Sequence, residues 1–404
     1  MSRAQPLRRV LLYGHDTYGL GHLRRNLAIA SHLLADRPGL QIVLMTGSPV
    51  AGHFAIPQRL TLVQLPPVVK VGVEEYRAHD VRWDIELVRR TRSAIMVDTA
   101  LRFRPDVLLV DHAPLGMKGE LVPVYDALRT HSPSTRIVLG LRDVLDDPDT
   151  VRQLWTSQRA YEALEKVFDR VLVYGSEDLF DVVSSYELPE AVASKLTYCG
   201  YVARRRRDDT AGPRENFVLG TAGGGGDGVE ALSATLSACA ALNVPCRIVT
   251  GPLMSGADRA RLVRQASLDP QASVIEFLPD AHAAMARARA AVTMGGYNSL
   301  CELVASATPT VVVPRTHPRR EQAIRAELFA ARGAVSVVAP GDDLARHVYQ
   351  ALREALDQGP RQGPPPIDLG GLVEVERALD AEARLAGSAR AAGSEWAARV
   401  GSNA

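Results

Sequence analysis

The sequence predicts an α/β protein of two doubly wound domains that face each other across a cleft. Three observations carry that class: the length of the chain, two series of short apolar runs, and a charged break between the series. At 404 residues the chain exceeds one ordinary core and suits two domains of about 150–200 residues each. The first series of runs is RRVLLYG (8–14), QIVLMTG (41–47), DVLLVDH (106–112), RIVLGLRD (136–143) and RVLVYG (170–175). The second is NFVLGTAGG (216–224), PCRIVTGP (245–252), SVIEFLP (273–279), AAVTMGG (290–296) and PTVVVP (309–314). Each run is continuously apolar rather than alternating, as strands buried on both faces are. Each is followed by a longer amphipathic stretch, so the connections read as parallel βαβ units.

Four segments follow. Residues 1–203 form the N-terminal domain, and 204–216, within the charged and turn-rich ARRRRDDTAGPREN, form a hinge linker. Residues 217–357 form the C-terminal domain. Residues 358–404 hold a Pro/Gly break, a helical stretch VEVERALDAEARLAG and a flexible tail rich in Ala, Gly and Ser.

Hydrophobic residues make up 46% and charged residues 23%, the mix of a soluble globular protein. The formal charge is +1, from 47 basic and 46 acidic residues, which argues against nucleic acid as a partner but leaves room for a local basic pocket. No apolar run approaches the ~18 residues of a membrane span, and the N-terminus passes straight into a strand, so neither a signal peptide nor an integral membrane segment is expected. Cys199, Cys239, Cys246 and Cys301 have neither disulfide nor metal-ligand spacing and read as reduced thiols of a cytoplasmic protein.

The glycine loops are not the common ones. The first strand runs into GHDTYGLGHLRRNLAIA, with glycines at Gly14, Gly19 and Gly21. That spacing is not G-x-G-x-x-G, no Lys-Ser/Thr follows, and the second strand ends without an acidic residue. A dehydrogenase and an NTPase are therefore disfavoured. Gly19 and Gly21 allow close backbone approach at a helix N-terminus, with His22 in its first turn; a tight turn with His22 capping locally is the alternative. In the second half, AGGGGDG follows strand FVLGT, and its amides suit a phosphate; a flexible surface loop is the rival reading.

The richest stretch is AVTMGGYNSLCELVASATPTVVVP (291–314), with Gly295-Gly296 between a strand and a helix that starts after Asn298. Free amides at that helix start form an anion seat at the carboxyl edge of a parallel sheet. Ser299 and Glu302 also have capping-box spacing, which explains those two residues but not the glycine pair.

MGGYNSLCE resembles the donor-binding signature of GT-B glycosyltransferases, both plant-type small-molecule transferases and family 28. The resemblance implies that Gly295, Gly296, Asn298 and Ser299 face a nucleotide diphosphate and that Glu302 takes the ribose hydroxyls. It places Glu321-Gln322, in PRTHPRREQAIRAELFAARGA, on the donor sugar, and Phe277 and Leu278, in FLPDAHAAMARARAAVTMGG, near the base. Gly223, Gly224 and Gly225 match the second phosphate-proximal loop. GLGHLRRNLAIA is similar to the family 28 Gly-Gly-His loop, and LLVDHAPLGMKGEL lies where small-molecule transferases pair an aspartate with the catalytic histidine. The likeness spans residues 8–340, and its closest form is a bacterial group of glycosyltransferases. Met294 replaces a histidine that plant-type enzymes place near the diphosphate, so Arg315, Arg319 or Arg320 is expected to supply the charge.

The function implied is metal-independent, inverting transfer of a sugar from a nucleotide sugar, with UDP favoured by analogy, to a hydroxyl of a small molecule or saccharide. No cofactor is expected. His22 is the candidate base, oriented by Asp111, since a hydrogen-bonded carboxylate fixes an imidazole tautomer. His15, Asp16, Gly19, Gly21, His112 and Asp143 lie on the acceptor side, with Asp143 alternatively tying its loop to Arg142. Asp147-Pro148-Asp149 reads formally as a D-x-D metal motif, but a cap followed by proline is how a helix begins. A nucleotide-sugar 2-epimerase of the same architecture and a non-catalytic sugar-nucleotide-binding protein are the alternatives. The N-terminal half shows no exposed apolar loop that demands a lipid.

Overall fold

Fully buried Val, Leu and Ile runs become the central strands of two parallel sheets in a computed structural model that describes residues 7–16, 20–72, 75–204, 213–278 and 280–401, with side chains through residue 388. The first half contributes β1 (Arg9–Gly14), β2 (Gln41–Thr46), β3 (Leu60–Gln64), β4 (Val68–Gly72), β5 (Glu75–Ala78), β6 (Val107–Asp111), β7 (Arg136–Arg142), β8 (Arg170–Tyr174) and β9 (Leu196–Tyr198). The second contributes β10 (Val218–Thr221), β11 (Cys246–Val249), β12 (Ala272–Ile275), β13 (Ala290–Thr293), β14 (Thr310–Val312) and β15 (Ser336–Val337).

The seven-stranded sheet has the order β3-β2-β1-β6-β7-β8-β9, and the six-stranded sheet β12-β11-β10-β13-β14-β15. The pairings in both are parallel. Strand order reverses between β1 and β6 in the first sheet and between β10 and β13 in the second. At these switch points two neighbouring connections leave toward opposite faces and open a crevice beyond the strand ends. The register sets Gly14 beside Asp111 in one sheet and Thr221 beside Thr293 in the other. The segments singled out above therefore leave the two crevices.

Each of the ten apolar runs contains a strand. The sequence reading missed β3, β9 and β15, short edge strands with partly exposed residues, and the antiparallel hairpin β4–β5. Only alternation would have marked them, and over two to five residues it carries little signal.

The C-terminal segment does not hang off the second domain. Helix Gly371–Gly401 returns to the first, where Val375, Leu379 and Ala383, spaced by four, enter the core with Val10, Leu12 and Leu109. On its flanks Glu376 bonds His32 and Arg37, and the buried Glu382 bonds Arg136 and Arg170. The backbone is helical to Gly401.

The two domains share a core. Tyr297, Leu300, Cys301 and Val304 of helix Tyr297–Ala305, with Ala326 and Phe329 of helix Glu321–Ala331, belong to one apolar cluster with Leu172, Tyr174, Leu179 and Tyr201 of the first domain. A polar spine runs through the contact. Arg325 makes a fully buried ion pair with Asp143 at 2.9 Å, and the Tyr201 hydroxyl donates to the same carboxylate at 2.9 Å. The Val202 amide donates to the Tyr297 hydroxyl at 2.9 Å, and that hydroxyl donates to the Tyr174 carbonyl at 3.0 Å. Of the expected hinge, residues 205–212 lie outside the described residues; Arg214 is bonded to the carbonyls of Ala286, Ala288 and Ser306 in the second domain.

Candidate active site

On the N-terminal side, the loop after β1 carries His15 and Asp16, and the following helix, Gly21–Ala35, carries His22 in its first turn. Gly19 lies outside the described residues. His22 and Arg25, three residues apart, share one face of the helix and meet Asp111 at the end of β6. His22 Nδ1 is 2.8 Å from Asp111 Oδ2. Arg25 donates to the same carboxylate through Nε at 3.0 Å and through Nη2 at 2.8 and 2.7 Å. Burial works to raise the Asp111 pKa, but Arg25 and His22 outweigh it and hold the carboxyl below its usual range. An ionised carboxylate only accepts, so Nδ1 of His22 carries the hydrogen, and in the neutral ring the lone pair is on Nε2.

Around this dyad stand two further imidazoles. The His112 ring centroid is 5.2 Å from that of His22, and the His15 centroid is 6.1 Å away. Both pKa values are pushed well below the usual histidine range, chiefly by burial and then by His22 for His15 and Arg142 for His112. Arg142 lies 3.4 Å from His112 Nε2, its Nε is buried without a partner, and burial with Arg325 and Arg25 nearby lowers its pKa to about 10.

Two acceptor-side expectations are corrected. Asp143 is fully buried and committed to Arg325 and Tyr201, so it braces the domain contact and neither reaches an acceptor nor ties Arg142. Asp16 accepts from the Leu23 amide at 3.0 Å and from the Thr46 hydroxyl, which makes it a brace for the start of the helix.

On the C-terminal side, Gly295 adopts φ +83°, a left-handed conformation that favours glycine, and a Cβ there would meet Val312 at 3.0 Å. Gly296 is the N-cap, with extended backbone, open space where a Cβ would be, and no side-chain cap on the helix. The helix starts at Tyr297, two residues before the expected start, so Ser299 lies within the first turn and the capping box does not form. Asn298 instead donates to the Gly21 carbonyl at 2.8 Å, across the domain boundary. Glu302 is ion-paired with Arg24, also across the boundary, with side chains 8% and 17% exposed.

The 223–225 loop is partly a packing device. Gly225 has φ +95°, and a Cβ there would sit 2.1 Å from the Thr250 carbonyl oxygen. Gly223 has φ +64° with open space beside it. Phe277 packs against His53 and Phe54 of the other domain at 5.7 and 5.3 Å, while Leu278 is half-buried against the core around Phe217 and Leu303. The three expected phosphate cations already have carboxylates. Arg315 lies 3.1 Å from Asp227 and 2.5 Å from Glu321, Arg319 is 3.9 Å from Asp146, and Arg320 is 3.7 Å from Asp147. Gln322 accepts from the Arg315 amide at 3.1 Å, and Glu321 keeps a buried, unpartnered Oε2.

Asp147 is a helix cap that accepts from the Asp149 amide at 3.2 Å, as expected. Among the described residues no group of three or more His, Cys, Asp or Glu side chains is arranged to hold a metal ion, and no helix is long and apolar enough to cross a membrane. In the first domain Val81 and Trp83 are exposed on the loop before helix Ile85–Phe103, and Val71, Leu87 and Val122 are exposed on neighbouring elements. Arg24 and Arg25 escaped the sequence reading, and Arg142 entered it only as a tie for Asp143. Only Arg25 left a signal, its three-residue spacing from His22.

Two parallel sheets with both switch-point crevices brought together define a GT-B protein. Residues 224–365 match the glycosyltransferase family 28 C-terminal domain. The chain is 26% identical over 322 residues to the UDP-N-acetylglucosamine–N-acetylmuramyl-(pentapeptide) pyrophosphoryl-undecaprenol N-acetylglucosamine transferase of Sodalis glossinidius, covering 79% of this chain and 81% of that one. Among solved structures it resembles TcCGT1 in complex with UDP (TM-score 0.59, 14% identity, 94% and 100% of the two chains). MurG of Acinetobacter baumannii is also similar in fold (TM-score 0.51, 15% identity, 93% and 94%). The protein is a glycosyltransferase of the GT-B fold.

Proposed function

We propose that the enzyme transfers a sugar from a UDP-sugar to an acceptor hydroxyl with inversion, using His22 as base and no metal. The observation that carries this reading is the His22–Asp111–Arg25 contact at one switch point, facing uncapped Gly296 and Glu302 at the other. His22 Nε2 takes the acceptor proton as the acceptor oxygen attacks the anomeric carbon. The carbon–oxygen bond to the diphosphate breaks, and UDP leaves with that electron pair. Direct displacement inverts the anomeric centre. The charge developing on the diphosphate meets the amides after Gly296 and those of Gly223 and Gly224, since a helix N-terminus favours an anion by its dipole and its free N–H groups. Glu302 takes the ribose hydroxyls, and Glu321 with Gln322 the sugar hydroxyls; the unpartnered Oε2 of Glu321 supports that role.

Incubation with UDP-, dTDP-, GDP- and ADP-sugars tests the donor. Transfer or slow hydrolysis of one sugar supports the proposal, whereas epimerisation supports a 2-epimerase and binding alone a sensor. Glu302→Ala is expected to weaken UDP binding about tenfold or more, the cost of losing a charged hydrogen-bond acceptor. Turnover that survives removal of divalent ions by EDTA agrees with a metal-free mechanism, and lost turnover restored by Mg²⁺ overturns that part.

A small molecule or saccharide is the first reading for the acceptor. A lipid-linked acceptor is the second, favoured by exposed Val81, Trp83, Leu87 and Val122 beside Arg82, Arg89 and Arg90, and by the lipid-linked acceptor in the name of the Sodalis relative. Sedimentation with anionic phospholipid vesicles separates the two: binding that Trp83→Ser abolishes supports the second.

A further inference from the structure

Arg24 and Glu302 form an ion pair between helix Gly21–Ala35 of the first domain and helix Tyr297–Ala305 of the second. Glu302 is the carboxylate proposed for the donor ribose, so Arg24 stands where that ribose would bind. Beside it, Asn298, a proposed phosphate contact, is bonded to the Gly21 carbonyl. Both contacts come from one turn of the same first-domain helix.

A ribose that reaches Glu302 must displace Arg24. The displaced guanidinium cannot stay unpaired at little cost: it is mostly shielded from water, and losing its partner there leaves an uncompensated charge. A new partner is close by in the donor itself. The diphosphate would lie at the N-terminus of the helix that bears Glu302; Gly21, three residues before Arg24, meets that first turn through Asn298, and Arg24 itself meets Glu302 on the next turn. Of the three arginines expected to meet the phosphates, Arg315 is bonded to Asp227 and Glu321, and Arg319 and Arg320 lie 3.9 and 3.7 Å from Asp146 and Asp147.

We propose that Arg24 is a specificity-determining exchange residue: it pairs with Glu302 and passes to the donor diphosphate when ribose takes Glu302. This inference rests on the donor reading above. A nucleoside without phosphates would break the ion pair and give Arg24 nothing in return. A nucleoside diphosphate would break it and replace it. The exchange thus selects diphosphates over nucleosides by a first-domain residue, and it couples donor binding to the domain contact.

Calorimetric titration of the full chain with UDP, uridine and 2′,3′-dideoxyuridine tests this. In Arg24→Gln, uridine is expected to bind about 3–10-fold more tightly, because Glu302 is free, and UDP about tenfold more weakly, because a charge-assisted contact is lost. Arg24→Lys keeps the charge without the fork and should fall between wild type and Arg24→Gln for UDP. A structural role for Arg24 moves both ligands in the same direction. Equal factors for uridine and UDP, or no change in either, overturn the proposal. Glu302→Gln checks the underlying reading separately. If that variant binds uridine as wild type does, and wild type binds dideoxyuridine as well as uridine, Glu302 is not the ribose residue and the exchange falls with it. Wild-type enzyme that binds no UDP at all overturns both.

Discussion

His22 reaches Asp111 because one helical turn sets His22 and Arg25 on the same face, above a strand end that a register of parallel pairing fixes beside β1. Arg25 changes what Asp111 does. Three hydrogen bonds from the guanidinium share the carboxylate charge, so Asp111 serves mainly to hold the Nδ1–H tautomer and aim Nε2. His22→Ala is expected to lower turnover by about 10²–10⁴ while UDP affinity stays within about twofold, measured by product formation and calorimetry. Unchanged turnover removes the base assignment. His15 and His112 make a second prediction. Their folded pKa values are depressed, so the unfolded chain binds more protons once pH falls below the ordinary histidine value. Their contribution to stability is complete above about pH 6.5 and is lost progressively as pH drops toward the folded values, by up to about 1.4 kcal/mol per pH unit for each group. Urea titrations at pH 7.5 and 5.5 should show that loss, and His112→Asn should flatten it.

At the scale of the element, glycines that look alike in the sequence separate into two kinds. Gly225 and Gly295 are required by positive φ and by a close neighbour, whereas Gly296 has extended backbone and open space. Gly225→Ala should destabilise by about 2 kcal/mol or more, since strain and overlap with a carbonyl add. Gly296→Ala should cost under about 0.5 kcal/mol, yet weaken UDP binding because its methyl stands where the ligand approaches. Denaturant melts of the two variants side by side check the contrast; equal losses of stability would remove the distinction. The glycine pair was legible because an apolar strand, two glycines and Asn-Ser before an amphipathic run form a local pattern. The helix start was not, because Ser299 and Glu302 have capping-box spacing, while the backbone bends at Gly295 and lets the helix begin at Tyr297.

For the whole molecule, the shared core and the buried Arg325–Asp143 pair make the domain contact part of the fold. Opening it fully would expose Phe329 and Leu300 and strip two buried charges of their partners. Asp143→Ala should destabilise by about 3–5 kcal/mol, and Asp143→Leu combined with Arg325→Met by clearly less, because the double change leaves no orphaned charge. Thermal melts of the three chains check this; a double variant no better than the single one argues against the pair. Scattering with and without UDP should accordingly show only a small change in radius, in contrast to free swinging about the linker.

Continuous apolar runs, the glycine pair and the signature that follows it determined the two parallel sheets, the reaction class and the segments at the crevice. These are local properties: burial on both faces, backbone conformations open to glycine, and amides at a helix start are written into a few adjacent residues. Tertiary structure alone decided which arginine meets which carboxylate, that Asp143 serves the contact and not an acceptor, and that the last helix returns to the first domain. With 47 basic and 46 acidic residues in the chain, nothing local distinguishes Arg24 from Arg315 as the partner of Glu302. Only packing, by bringing helix Gly21–Ala35 against helix Tyr297–Ala305, makes that choice.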